Sequence, residues 1–246
     1  VTDLDQFHAQ ANSFDREAGL YERARPSYPP AAVDWLLYDN PSTALDLGAG
    51  TGKFSRLIAG RVERVIAVDP SERMLEQLRH ATPGVDARVG TAERLPLDDA
   101  SVDAVFSAQA WHWVDPATAE PEVARVLKPH GTFGLVWNTR DVSAPWVARL
   151  SEIIHDSKAE IYLAEPQLPT TFGPIERLET TWEQPFTRDS LLDLVASRSY
   201  TITASPDERA RVMSGVERLL DTDPALANPH EWRMPYRTLA YRMRRD

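Results

Sequence analysis

The stretch Asp46-Leu47-Gly48-Ala49-Gly50-Thr51-Gly52 places three glycines within five residues, directly after the run Thr43 to Leu47 and directly before Phe54, Leu57 and Ile58. The first flank has the length and apolar content of a short strand, and the second has helical spacing. A glycine turn between strand and helix is where open α/β sheets bind ligands, because glycine turns tightly and lets the backbone approach closely. The same rhythm continues outward. Val65-Ile66-Ala67-Val68-Asp69 is a second strand, near-continuously apolar as in a sheet covered on both faces, and Ser71 caps a helix carrying Met74, Leu75 and Leu78. A third strand lies around Ala87-Arg88-Val89, a fourth runs from Asp103 to Ala108, and a fifth runs from Thr132 to Trp137. Between the last two fall a helix near Glu120 to Leu127 and a turn at Pro129-His130-Gly131. This alternation predicts an α/β fold, doubly wound on a mostly parallel sheet.

Upstream, residues 1–28 form a polar arm with Phe7, Phe14, Tyr21 and Tyr28, and Pro29-Pro30 opens a helix with Val33, Leu36 and Leu37 on one face. Downstream of Asn138 the rhythm changes. Residues 145–163 read as one longer helix presenting Trp146, Val147, Leu150, Ile153 and Ile154, and a strand runs from Ile175 to Thr187. A short helix through Leu191, Leu194 and Val195 follows. Ser205-Pro206-Asp207-Glu208 then reads as a capping box that opens a helix with Val212, Val216, Leu219 and Leu220. Thr238 to Met243 is a last strand. With no clean linker, residues 1–246 read as one domain: an N-terminal arm or lid (1–28), a cofactor-binding core (29–140), and helical cap elements with the last two strands (141–246).

The formal net charge of -10 argues against nucleic acid and against anionic membrane surfaces, both of which are met with basic patches. The arginines near the end of the chain, 233, 237, 242, 244 and 245, read as a solvated tail. With no cysteine there is no disulfide framework, thiolate zinc site or cysteine nucleophile. The histidines and carboxylates lack metal-ligand spacing, so no metal is expected. No apolar run spans a bilayer, and the acidic start is no secretory signal, so the expected location is the cytoplasm. Oligomeric state leaves no trace in the sequence.

Three ligand readings compete for the glycine loop. A nucleotide phosphate loop fails, because Leu47 stands where its first glycine belongs and Gly52-Lys53 is followed by Phe54. A dinucleotide fingerprint puts a small residue at its sixth position, where this chain has Lys53. Asp46 also counts against it, since an anionic side chain opposes a pyrophosphate and favours a cation. S-adenosylmethionine carries a sulfonium, an ammonium and no phosphate, and fits both the acid and the glycines. A tight turn without a ligand is the bland alternative.

Asp69, 21 residues past Gly48, is placed to accept hydrogen bonds from both ribose hydroxyls, or simply to cap the next helix. Gly90-Thr91-Ala92-Glu93, after the third strand, is placed to meet the adenine. Gln109-Ala110-Trp111-His112-Trp113 follows the fourth strand, where a methyl acceptor would meet the cofactor. Trp111 and Trp113 read as pocket walls or as core. His112 reads as a general base or as a structural histidine.

In this order, these signals resemble the class I S-adenosylmethionine-dependent methyltransferases. A closer resemblance, to the type 11 small-molecule branch including trans-aconitate-methyltransferase-like proteins, is carried by Tyr21-Glu22-Arg23-Ala24-Arg25-Pro26-Ser27-Tyr28-Pro29, by Ala108 to Trp113, and by Ser197-Arg198-Ser199-Tyr200 with Met234-Pro235-Tyr236-Arg237-Thr238. The resemblance implies a seven-stranded Rossmann-like sheet whose last strand is antiparallel, with helical additions over the acceptor side. It implies that S-adenosylmethionine sits on Asp46, Gly48, Ala49, Gly50 and Gly52, then on Asp69, Pro70 and Met74. Thr91, Ala92 and Glu93 follow, then Gln109 and Ala110, and the arm brings in Tyr21 and Arg25. S-adenosylhomocysteine is the product.

The acceptor is expected to be a small molecule. A carboxylate needs no base, only a cation such as Arg25 or Arg140. A phenol, amine or carbon acid needs one, and His112 is the best available. The Pro-Pro-aromatic run of nitrogen methylation is absent, which favours O-methylation of an organic acid. A non-catalytic S-adenosylmethionine-binding protein and a nicotinamide-dependent oxidoreductase remain as rivals.

Overall fold

A computed structural model describes residues 25–155, 158–164 and 166–246. Among them seven strands, β1 (Thr43–Leu47), β2 (Arg64–Asp69), β3 (Asp86–Val89), β4 (Val102–Ala108), β5 (Leu127–Arg140), β6 (Glu176–Pro185) and β7 (Arg233–Arg244), form one sheet in the order β3-β2-β1-β4-β5-β7-β6. Strands β1 to β5 pair in parallel. As β5 advances from Gly131 to Asp141, its hydrogen-bond partner recedes from Arg245 to Pro235, so β7 is antiparallel. The same reversal, Gly173 on Arg244 and Phe186 on Trp232, sets β6 antiparallel to β7. The mostly parallel, seven-stranded sheet expected from the sequence is the one observed.

The helices are α1 (Pro30–Leu36), α2 (Lys53–Ile58), α3 (Glu72–Ala81), α4 (Pro116–Val126), α5 (Pro145–Ile154), α6 (Lys158–Ala164), α7 (Arg188–Ala196), α8 (Ser199–Thr203) and α9 (Pro206–Thr222). The chain gathers into two compact units. The first holds Arg25, Pro26, the segment from Thr139 to Ala164, and Thr181–Arg237; the second holds Ser27–Asn138, Pro166–Thr180 and Thr238–Asp246.

In the second unit, Val33 and Leu36 of α1 and Phe54 and Ile58 of α2 pack with Ala44, Val65, Ala104, Phe106, Val136 and Ala240 of the sheet. Ala67, in phase with Val65, meets Leu75 and Leu78 of α3. Phe133, out of phase with Val136, lies on the opposite face and meets Trp111 and Phe172 edge-on or tilted at 5.0 and 5.1 Å. In the first unit, α5, α7 and α9 bury Leu150, Val195 and Val216 completely. Trp146, Phe186 and Trp232 stack in a row beside them, with ring centroids 5.6 and 5.4 Å apart.

Four local expectations differ from the structure. Pro129-His130-Gly131 does not end an element; it is a bulge inside β5, between the pairs Val102–Leu127 and Ala104–Thr132, with His130 at φ +63°. Residues 145–163 are not one helix, because His155 takes a left-handed φ of 56° with ψ 168° and separates α5 from α6. Helix α4 starts at Pro116, where Asp115 caps the Ala117 N–H; its buried positions begin only at Ala119, so periodicity hides the first turn. The box at Ser205 is half made. The serine accepts from the Glu208 N–H, but the Glu208 carboxylate turns to Tyr200 and Arg211.

Candidate active site

The loops singled out in the sequence all belong to the second unit and follow the carboxyl ends of β1, β2, β3 and β4. β1 has β2 on one side and β4 on the other, so the strand order reverses here, and such a switch point opens a ligand crevice.

Backbone bonds stitch the loops together. Gly48 and Ala49 both donate to the Val68 carbonyl, and Gly90 donates to that of Asp69. Gly48 lies at φ +72°, and a Cβ there would stand 2.4 Å from the Ala110 Cβ. The β1 and β4 loops therefore reach their separation only because residue 48 has no side chain. Gly50, at φ +54°, differs: a Cβ there meets nothing within 4 Å, so its face is open. Gly52 abuts Leu78 of α3.

Asp46 is buried at the end of β1. Its Oδ2 accepts from the Ser55 hydroxyl at 2.6 Å, and its Oδ1 has no partner. Burial raises its pKa to about 7, against the Ser55 bonds and helped by the Asp69 charge. Asp69 spreads its carboxylate over two backbone donors, Gly50 at 2.8 Å and Ser71 at 2.9 Å. A carboxylate has about four lone-pair sites, and two of them here hold the glycine loop and the start of α3. Pro70 is exposed beside it, and Met74 is buried with its N–H on the Ser71 cap.

After β3, Ala92 is buried, Thr91 is exposed, and Glu93 accepts from the Asp115 N–H at 3.3 Å. After β4, Gln109 takes a left-handed φ of 57°. Its Nε2 donates to the Asn138 carbonyl at 2.8 Å, while its buried Oε1 has no partner. Asn138 in turn donates to the Ser27 carbonyl and accepts from Thr238. Asp46 Oδ1 and Gln109 Oε1 are thus two buried acceptors without donors on neighbouring strand ends, and each costs about 1–3 kcal/mol if left so. A ligand rich in N–H and positive charge suits them, as does the open face at Gly50. The residues present fit S-adenosylmethionine.

A single 3₁₀ turn carries Trp111, His112 and Trp113. Trp111 is core, edge-on to Phe133; Trp113 is half-buried, its ring 5.1 Å from His112. His112 accepts at Nδ1 from the indole N–H of Trp137, at 3.2 Å. An indole N–H only donates, so Nδ1 is unprotonated and the neutral ring carries its proton on Nε2.

Two candidates fall in the first unit instead. Arg25 donates to the Ser197 carbonyl at 3.1 Å, and Arg140, at the end of β5, is buried 2.8 Å from Glu160. Tyr21 lies outside the described residues. Sequence reasoning missed Ser55, Trp137 and Asn138, which act through side chains from other elements; a buried polar residue has no local signature. Among the described residues no group of histidines and carboxylates could hold a metal, and no helix is long and apolar enough to cross a membrane.

Strand order, an acid-bearing glycine loop without phosphate-binding features and a carboxylate at the end of β2 together define a Rossmann-like methyltransferase. Residues 45–135 match the methyltransferase domain family. An uncharacterized methyltransferase of Mycobacterium tuberculosis is 51% identical over 230 residues, 94% of each chain. The malonyl-[acyl-carrier protein] O-methyltransferase of Methylococcus capsulatus is 45% identical over 105 residues, 38% of each chain. A solved structure described as a type II methyltransferase, from Anaeromyxobacter dehalogenans, is 30% identical with a TM-score of 0.64, covering 89% of this chain and 96% of its own. The chain belongs to the class I S-adenosylmethionine-dependent methyltransferases, and membership implies S-adenosylmethionine as its methyl donor.

Proposed function

We propose that this enzyme methylates a carboxylate oxygen of a small organic acid. The observation that carries the reading is the Trp137–His112 bond. It occupies the one ring nitrogen that could take a proton, so the best base candidate in the sequence is set as a donor. An acceptor that is already a nucleophile at neutral pH needs no base, and a carboxylate is such an acceptor. The partial likeness to a malonyl-[acyl-carrier protein] O-methyltransferase supports O-methylation of a carboxylate, since a malonyl group offers one, although there it is carried on a protein.

In this reading Asp46 Oδ1 and Gln109 Oε1 receive the ammonium of S-adenosylmethionine, and Asp69 receives its ribose hydroxyls. Ala92, with Thr91 and Glu93 beside it, borders the adenine. Bound there, the cofactor supplies a methyl group on a sulfonium: a C–O bond forms as the C–S bond breaks, S-adenosylhomocysteine leaves, and no proton moves. The chain's own work is alignment and exclusion of water, which carry most of such a displacement.

The test is turnover with labelled S-adenosylmethionine on panels of small carboxylic acids, phenols and amines, with product mass analysis. Methyl esters are the expected products. Turnover confined to amines or phenols would overturn the acceptor class. Saturable binding of a nicotinamide dinucleotide would overturn the cofactor assignment.

A further inference from the structure

In the first unit, the end of β5 carries Arg140 into a buried polar cluster. Its side chain is 3% exposed; Nη2 lies 2.8 Å from Oε1 of Glu160 on α6, and Nε donates to the Ser151 hydroxyl. Arg198, at the start of α8, is 8% exposed and sets Nη2 on the other Glu160 oxygen at 2.9 Å and on the His155 carbonyl at 3.2 Å. One carboxylate thus bridges two guanidiniums. Tyr236 of β7 is within electrostatic reach of Arg140, Arg25, Arg198 and Glu160, and burial pushes its phenol up to about 12, which keeps it a neutral donor.

Donor capacity is left over. Among the described residues, Nε and Nη1 of Arg198 make no hydrogen bond. The Tyr236 hydroxyl, within electrostatic reach of both arginines, enters no hydrogen bond with a described group. A guanidinium fork beside a hydroxyl donor is a pattern that recognises a carboxylate in a plane. Glu160 already demonstrates the fit, because its own carboxylate sits between the two arginines.

We infer that Arg140, Arg198 and Tyr236 form a carboxylate-binding site, and that Glu160 is its internal placeholder, yielding the arginines to an incoming carboxylate. Carboxylate binding at this cluster does not depend on the acid-methylation reading. A placeholder carboxylate competes with its ligand, so loss of its charge favours the ligand, whereas a merely structural Glu160 would leave a disordered, weaker site.

The probe is glutarate, titrated calorimetrically into the full chain with and without S-adenosylhomocysteine, each variant first checked by thermal melting. Arg198→Lys keeps the charge and loses the fork; roughly tenfold weaker glutarate binding is expected, with S-adenosylhomocysteine affinity unchanged. Tyr236→Phe weakens glutarate less, and Glu160→Gln tightens it. No saturable glutarate binding by the parent chain, equal affinity in Arg198→Lys, or weaker affinity in Glu160→Gln would each overturn the inference. Glutarate binding lost in Arg198→Lys, with no ester formed on any acid, would keep the site and remove the acid-methylation reading. Esters formed on acids, with equal glutarate affinity in Arg198→Lys and the parent chain, would keep that reading and remove the site.

Discussion

Trp137 donates its indole N–H to Nδ1 of His112 across 3.2 Å, and that bond decides which ring nitrogen holds the proton. With Nδ1 occupied, His112 is a donor through Nε2 rather than a proton acceptor. His112→Gln preserves a donor near the Nε2 position, so kcat should fall by less than about tenfold, whereas removal of a general base costs about 10²- to 10⁴-fold. A pH–rate profile of both proteins is the check. A limb that disappears in the variant, together with the larger loss, would make His112 the base and the acceptor something other than a carboxylate.

Asp46 couples the cofactor to pH. Its pKa is raised by burial to about 7, so near neutrality part of the population is protonated. An ammonium favours the ionised form, so binding releases a proton below that pKa. Cofactor affinity should rise with pH up to about 7 and level off above it. Calorimetry in buffers of different ionisation enthalpy reads the released proton directly. Asp46→Asn should lower the affinity by more than about tenfold and abolish this pH dependence.

The same group sets a stability trend of opposite sense. Its folded pKa lies above its unfolded value near 3.8, so the native state binds more protons than the unfolded chain between about pH 4 and pH 7. Its contribution is fully present below pH 4 and is lost as pH rises through 7. Denaturant melts of the ligand-free chain and of Asp46→Asn should converge at pH 4 and separate by pH 7, with the variant the more stable. Parallel curves would mean that the Asp46 carboxyl is not strained by burial.

Gly48 and Gly50 share a left-handed backbone but differ in what surrounds them. Gly48→Ala drives a Cβ into Ala110 and should cost about 1–3 kcal/mol of stability as well as cofactor binding. Gly50→Ala meets no neighbour within 4 Å and should cost about 1 kcal/mol while still weakening S-adenosylhomocysteine more than about tenfold. Paired melting and titration data separate the two. Undiminished binding in Gly50→Ala would move the cofactor away from this face.

Asp69→Asn probes a carboxylate that accepts from both Gly50 and Ser71. An amide offers one acceptor and confronts the other N–H with a donor, so about 1–3 kcal/mol of stability should be lost along with cofactor affinity. Hydrogen exchange at Gly50 and Ser71 should quicken in the variant.

Much of this architecture was legible in the sequence because its signals are local. Strand β1 was read at its observed bounds from an apolar run ending in glycines, and the cap of α3 from Ser71 alone. The bulge at His130 and the half-made box at Ser205 depart from the local expectation because Pro, Gly and Ser name a local preference, while neighbouring strands and side chains decide which is realised; the break at His155 falls inside an apolar period that carries no stop signal.

The sequence by itself determined the order of elements, the acid-bearing glycine loop and the carboxylate at residue 69, since each is written in spacing and side-chain type along a few residues. Only the tertiary structure decided that Trp137 fixes the His112 tautomer, that Ser55 leaves one Asp46 oxygen orphaned, and that Arg140 and Arg198 share Glu160. Those pairings join residues 9 to 38 positions apart. A hydrogen bond depends on distances of a few tenths of an ångström, which the packing of separate elements sets and no local pattern encodes.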